Sequence, residues 1–254
     1  MQEFLELSSE LAEAAGVIAR QYYRQSFDVE TKADSSPVTI ADKTIEAKLR
    51  EILEAKRPDD GIFGEEYDRK PSRSGLTWVI DPIDGTKSFM VGRPTFGTLI
   101  GLWEGDTPLL GIIDQPISNE RWIGGQGLPA TLNGTPIKTR ACPDISLAVS
   151  GSTTPAMYDH TGPAYQPFEK QGRAMIWGGD CYMYGLLACG FMDIVIEASL
   201  KPYDYAAVVP IVHSAGGVMT DWQGRPLTLE SAGEILACGD KTLHEKALKL
   251  IARH

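Results

Sequence analysis

Apolar residues first recur at helical spacing. Leu5, Leu11, Ala12, Ala15, Ile18 and Ala19 fall on one face of residues 2–25, which predicts a long amphipathic helix. Residues 26–37 are polar and irregular. A second helix is expected over about 41–55, with Ile45, Leu49 and Ile52 facing the core and Asp42 at or just inside its start. The pattern then shortens. Gly61-Ile62-Phe63-Gly64-Glu65-Glu66 reads as a brief strand ending on two acids. Trp78-Val79-Ile80, with two β-branched members, reads as a buried strand that ends on Asp81. Strands follow over 95–103, 109–113 and 120–123, with Gly105-Asp106 marking a hairpin. Asn133-Gly134 marks another hairpin between 130–132 and 135–137. The pattern over 1–140 is two helices over a largely antiparallel sheet.

Residues 141–254 change character. Strands are expected at 147–150, 174–177, 193–197, 218–220 and 235–237, alternating with helices at 180–189, 204–215 and 241–253. That alternation predicts an α/β fold built in layers. No repeat, low-complexity stretch or linker separates the halves 1–140 and 141–254, so they are expected to pack as one unit.

Composition removes several functions. Among 254 residues the net charge is −10, which argues against a nucleic-acid surface. No run approaches the roughly 18 apolar residues of a membrane-spanning helix, and Met1-Gln2-Glu3-Phe4 does not open a secretory signal. Cys142, Cys181, Cys189 and Cys238 form no Cys-x-x-Cys pair, so reduced thiols in a cytoplasmic protein are expected. His160, His213, His244 and His254 have no ligand spacing.

The chemistry concentrates in Asp81-Pro82-Ile83-Asp84-Gly85-Thr86. Pro82 is expected to stop the strand, because it removes a ladder donor and fixes φ. Asp84 then arrives on a turning chain, Gly85 permits close backbone approach, and Thr86 opens a helix with free N–H groups. Two carboxylates beside open amides suit a divalent metal facing a phosphate. Either Asp-Pro or Asp-Gly alone is ordinary turn punctuation. A covalent aspartyl mechanism of the haloacid-dehalogenase kind wants carboxylates two apart on one side of a strand. Here they are three apart across a proline, which disfavours it. Asp204, in Pro202-Tyr203-Asp204, would by itself be a helix-start acid, and so would Asp42.

Taken together, Gly64-Glu65-Glu66, Asp81–Thr86, Pro202-Tyr203-Asp204 and Ser214-Ala215-Gly216-Gly217 resemble the inositol monophosphatase superfamily. These are magnesium-dependent, lithium-sensitive phosphatases with a layered αβαβα sandwich. The resemblance runs the length of the chain and implies two or three Mg2+ ions. It assigns the first to Glu65, Asp81 and the Ile83 carbonyl, and the second to Asp81, Asp84 and Asp204. A third would be supported through water by Asp42, which with Thr86 would orient the attacking water. Thr86, Asp42 and Glu65 would be the catalytic residues, and the Gly85 and Thr86 amides would receive phosphate. The resemblance further implies a homodimer, Glu66 behind the metal ligands, and Lys32 on a mobile basic loop near the metals.

The ester is suggested by Trp177-Gly178-Gly179-Asp180-Cys181-Tyr182, Ile113-Asp114-Gln115-Pro116 and Glu197-Ala198-Ser199-Leu200-Lys201-Pro202-Tyr203-Asp204. These are similar to the histidinol-phosphate phosphatases. In that reading Asp180 and Glu197 meet the substrate amine, and Trp177 or Tyr182 packs on its imidazole ring. An inositol-phosphate or nucleotide 3′-phosphate phosphatase is the alternative within enzymes. A catalytically silent scaffold of the same fold is the alternative outside them.

Overall fold

The computed structural model describes residues 1–25 and 37–252. Helices α1 (Gln2–Tyr22) and α2 (Pro37–Lys56) precede a seven-stranded sheet whose strands lie side by side in chain order. These are β1 (Gly61–Gly64), β2 (Leu76–Asp84), β3 (Gly97–Glu104), β4 (Thr107–Gln115), β5 (Glu120–Gly125), β6 (Leu128–Leu132) and β7 (Thr135–Pro136). A short helix, α3 (Thr86–Met90), joins β2 to β3. Only β1 and β2 run parallel; the later neighbours are antiparallel.

The remaining elements are β8 (Val149–Ser152), α4 (Gln166–Gln171), β9 (Ala174–Trp177), α5 (Tyr182–Ala188), β10 (Ile194–Glu197), α6 (Pro202–Tyr205), α7 (Val208–Ser214), β11 (Val218–Asp221), β12 (Ile235–Cys238) and α8 (Lys241–Ile251). Their strands form a second sheet in the spatial order β11-β12-β10-β8-β9.

Side-chain alternation along the strands builds the layers. Trp78, Ile80, Ile100 and Ile112 face α1 and α2, meeting Leu11, Ile45 and Leu49. Val79, Leu99, Trp103, Ile113 and Trp122 face the other way, onto Tyr184 and Leu187 of α5 and Val208 and Ile211 of α7. Those helices also cover Val195 and Ala237 of the second sheet. Its far side, Ile194, Ile196 and Leu236, packs on Phe168 of α4 and Leu243 of α8. The order is therefore αβαβα. Because the large sheet is covered on both faces, β2 and β3 carry almost unbroken apolar sequence.

Three local expectations change. β2 does not stop at Pro82 but continues to Asp84, and the pairing with β3 shifts register between Asp81 and Asp84. The irregular step tolerates the missing proline N–H, and Thr98 Oγ1 donates to the Pro82 carbonyl at 2.8 Å. Helix α2 begins at Pro37, so Asp42 lies in its second turn rather than at its start. Proline suits a first helical position because its absent N–H would be unpaired there anyway.

The helix expected over 204–215 is two helices, α6 and α7. Pro210 cannot donate to the Ala206 carbonyl four residues earlier. The buried Trp103 indole N–H takes that carbonyl instead, at 2.9 Å. Among the described residues no helix is long and apolar enough to cross a membrane.

The α6–α7 junction lies hard against β4, where a Cβ on Gly111 would stand 1.8 Å from the Ala207 carbonyl oxygen. Gly111→Ala is expected to lose about 1–3 kcal/mol through overpacking. Urea denaturation checks it, and an unchanged midpoint would show that the junction can yield.

Candidate active site

Four elements deliver carboxylates to one place. Glu65 leaves the end of β1, Asp81 and Asp84 straddle the irregular step in β2, Asp204 is the third residue of α6, and Asp42 projects from α2. Oxygens of Asp81, Asp84 and Asp204 all lie within 4.8 Å of one another. Glu65 feels the charge of Asp204, Asp42 feels that of Glu65, and Asp81 feels both Glu65 and Asp42. Asp84 Oδ2 accepts the Cys181 N–H at 2.6 Å, and Asp204 Oδ2 accepts the Lys201 N–H at 2.6 Å. These bonds fix one oxygen of each side chain and leave the other for a ligand. Gly85, at φ 85°, turns the chain into α3, and Thr86 Oγ1 donates to the Ile83 carbonyl at 3.3 Å.

The electrostatics are unfavourable unless a cation arrives. Burial pushes Asp204 up to about 6; burial, and then the charges of neighbouring carboxylates, push Glu65 to about 7 and Asp42 to about 8. Asp81 and Asp84 move well above the carboxylate range, again by burial first. Asp81 Oδ1 and Asp42 Oδ1 are buried without a hydrogen-bond partner. Unpaired buried acceptors are costly. Carboxylate and carbonyl oxygens are the donors that hard divalent cations take. The residues present therefore fit a metal centre.

A pocket of about 250 Å³ opens beside this cluster, lined by Asp84, Gly85, Thr86, Lys87, Asp180, Glu197, Leu200 and Asp204. Glu197 Oε1 accepts the Thr153 N–H at 3.1 Å, and its Oε2 accepts the Tyr184 hydroxyl at 2.8 Å. Burial pushes the Glu197 carboxyl up to about 7. Asp180, at φ 47°, does not cap α5. Its Oδ2 accepts from Ser88 Oγ at 2.5 Å and Thr95 Oγ1 at 3.1 Å, and its carboxylate backs onto Gly85, where a Cβ would sit 2.8 Å from Asp180 Cγ.

Two expected ring-packing residues stand apart from the pocket. Trp177 packs edge-on against Tyr165. Tyr182 packs against Trp122 and donates its hydroxyl to Glu120 Oε2 at 2.6 Å. Both are placed by their own neighbours, Trp177 on an edge strand and Tyr182 against the large sheet. Lys32 lies outside the described residues.

Sequence reasoning passed over Thr153, Tyr184 and Glu46. Glu46 is wholly buried and its Oε2 accepts the Glu66 N–H at 2.7 Å. Its signal was present: it follows Asp42 by four residues, so the two share a helix face.

The sequence profile of the inositol monophosphatase family matches residues 1–254. A chloroplastic bifunctional phosphatase of Arabidopsis thaliana is 42% identical over 264 residues, covering 100% of this chain and 76% of its own length. A histidinol-phosphatase of Chlorobaculum parvum is 39% identical over 238 residues, covering 92% of this chain and 91% of its own. The solved structure of an inositol monophosphatase from Zymomonas mobilis superposes with a TM-score of 0.93 at 46% identity, covering 99% of this chain and 98% of that one.

The raised carboxyl values set a pH dependence for the metal-free protein. Native Asp204, Glu65 and Asp42 hold protons more tightly than the unfolded chain does, so the native state binds more protons and stability falls as pH rises. The loss begins above the ordinary carboxyl range, about pH 4, and runs to about 8, where Asp42 ionises. The thermal midpoint of chelator-treated protein is expected to drop between about pH 5 and about pH 8, and Mg2+ to raise it more at the higher pH. A midpoint insensitive to both would contradict the cluster.

Proposed function

The chain belongs to the inositol monophosphatase family, and from that premise we propose that it is a magnesium-dependent phosphomonoesterase acting on histidinol phosphate. The observation that carries the hydrolase reading is the convergence of Asp81, Asp84 and Asp204 beside the α3 amides. In this reading Glu65, Asp81 and the Ile83 carbonyl would hold one Mg2+, and Asp81, Asp84 and Asp204 would hold a second. The chemistry supplied by bound magnesium is neutralisation of phosphoryl charge and acidification of water, so that water attacks at neutral pH. The Gly85 and Thr86 N–H groups receive the phosphoryl oxygens. Asp42 and the Thr86 hydroxyl would orient the attacking water and the Asp42 carboxylate would take its proton, as the P–O bond to the alcohol breaks and the departing alkoxide takes a proton from solvent water. No side chain bonds covalently to phosphorus.

The acidic wall supports the choice of ester. Asp180 and Glu197 line the pocket, and among the described lining residues Lys87 is the one basic side chain. Such a wall favours an ester whose alcohol carries an ammonium group. The Chlorobaculum relative, named a histidinol-phosphatase, agrees with that chemistry. The Zymomonas structure favours inositol monophosphate as the second reading. We place the protein in the cytoplasm as a homodimer, the assembly that the family resemblance implies; sedimentation checks the latter.

Phosphate release from purified protein tests the substrate, with histidinol phosphate expected to be turned over faster than inositol 1-phosphate. Glu197→Gln should lower kcat/KM for histidinol phosphate by about 10-fold or more, the scale of a charged hydrogen bond, and for inositol 1-phosphate by less. Equal losses would remove the amine-recognition role. Asp84→Asn should cost more than about 100-fold, since even partners behind a metal ligand are worth 10–100-fold. Undiminished turnover after chelation would sink the metal mechanism, and none on any monoester would favour the scaffold.

A further inference from the structure

We propose that Glu46 is a positioning residue for the metal site, setting the Glu65 carboxylate by clamping the backbone on either side of it; this rests on the metal-dependent reading above. Glu46 lies on α2, fully buried, with no contact to solvent. Its Oε2 accepts the Glu66 N–H at 2.7 Å and its Oε1 accepts Arg50 Nε at 2.8 Å. On the other side of Glu65, a Cβ on Gly64 would fall 2.0 Å from Glu46 Oε1, so the carboxylate lies directly on the backbone at the end of β1.

Arg50 extends the clamp. Its second nitrogen donates to the Tyr67 carbonyl at 3.1 Å, its guanidinium sits 5.7 Å from the Tyr67 ring centre, and the Tyr67 hydroxyl donates to the Lys43 carbonyl at 3.3 Å. Residues 64, 66 and 67 are thus tied to α2, and Glu65, between them, is aimed at Asp81 and Asp204. A short acceptor that fixes the Glu66 amide holds Glu65 in place, and a metal ligand is useful only if it waits in place.

The test compares the Mg2+ concentration that half-saturates phosphate release, kcat at saturating Mg2+, and the Mg2+-induced rise in thermal midpoint. Glu46→Ala should raise the half-saturating concentration by about 10-fold or more, more than it lowers kcat, and shrink the midpoint rise. Glu46→Gln, which keeps an oxygen for the Glu66 amide, should recover most of the loss. Asp60→Asn is the structural control, since Asp60 accepts from Trp78 Nε1 and Arg57 before β1 begins. It should lower the metal-free midpoint without moving the Mg2+ requirement.

If Glu46→Ala does not fold, Glu46→Asp, one methylene short of the amide, decides in the same terms. Wild-type half-saturation in the Glu46 variant, or an equal shift in Asp60→Asn, overturns the proposal while leaving a metal-dependent enzyme. A wild type indifferent to Mg2+ overturns the functional reading itself.

Discussion

Like charges forced together out of water are the constraint on which this structure turns. Asp42, Glu65, Asp81, Asp84 and Asp204 repel one another; Asp42 and Asp81 are buried and Asp84 and Asp204 half-buried, which disfavours their ionised forms. Nothing in that cluster attracts its members. They stay close because rigid elements packed for other reasons leave them no alternative. Trp78 and Ile80 seat β2 under α1 and α2, and Val79 seats it over α5 and α7. The strand bearing Asp81 and Asp84 is therefore gripped from both faces.

Asp204 arrives from the other half of the chain, and its placement depends on close backbone contact. The α6–α7 junction can press against β4 because Gly111 has no side chain there. Trp103 takes the carbonyl that Pro210 leaves unpaired, which ties the same junction to β3. A few neutral contacts thus offset repulsion among several charges, and the site is held ready for a cation.

The two halves also meet through backbone groups at the pocket. The Cys181 N–H fixes Asp84, and the Asp180 carboxylate, held by the Ser88 and Thr95 hydroxyls, supports Gly85 from behind. Asp180 is thereby part of the scaffold of the phosphate-facing turn as well as of the pocket wall. Glu197 differs: its two donors, the Thr153 N–H and the Tyr184 hydroxyl, fix its direction while its face to the pocket remains open.

The sequence by itself determined whatever rests on neighbours along the chain. Period 3.6 announced α1, and the apolar run 78–80 announced β2. Asn133-Gly134 announced its hairpin because both residues adopt positive φ, at 50° and 77°, which few other pairs do. The acid spacing in 81–84 and the family resemblance marked most of the cluster. Only the tertiary structure decided the rest. Pro82 sits inside β2 because the ladder steps there, and residues 204–215 break because the Trp103 indole replaces a helical donor. Trp177 and Tyr182 are drawn off by Tyr165 and Trp122, while Glu46 reaches the Glu66 amide across the gap between α2 and β1. Local backbone preference is written in adjacent residues. Which distant donor meets which acceptor depends on how whole layers settle, and no short stretch of sequence contains that.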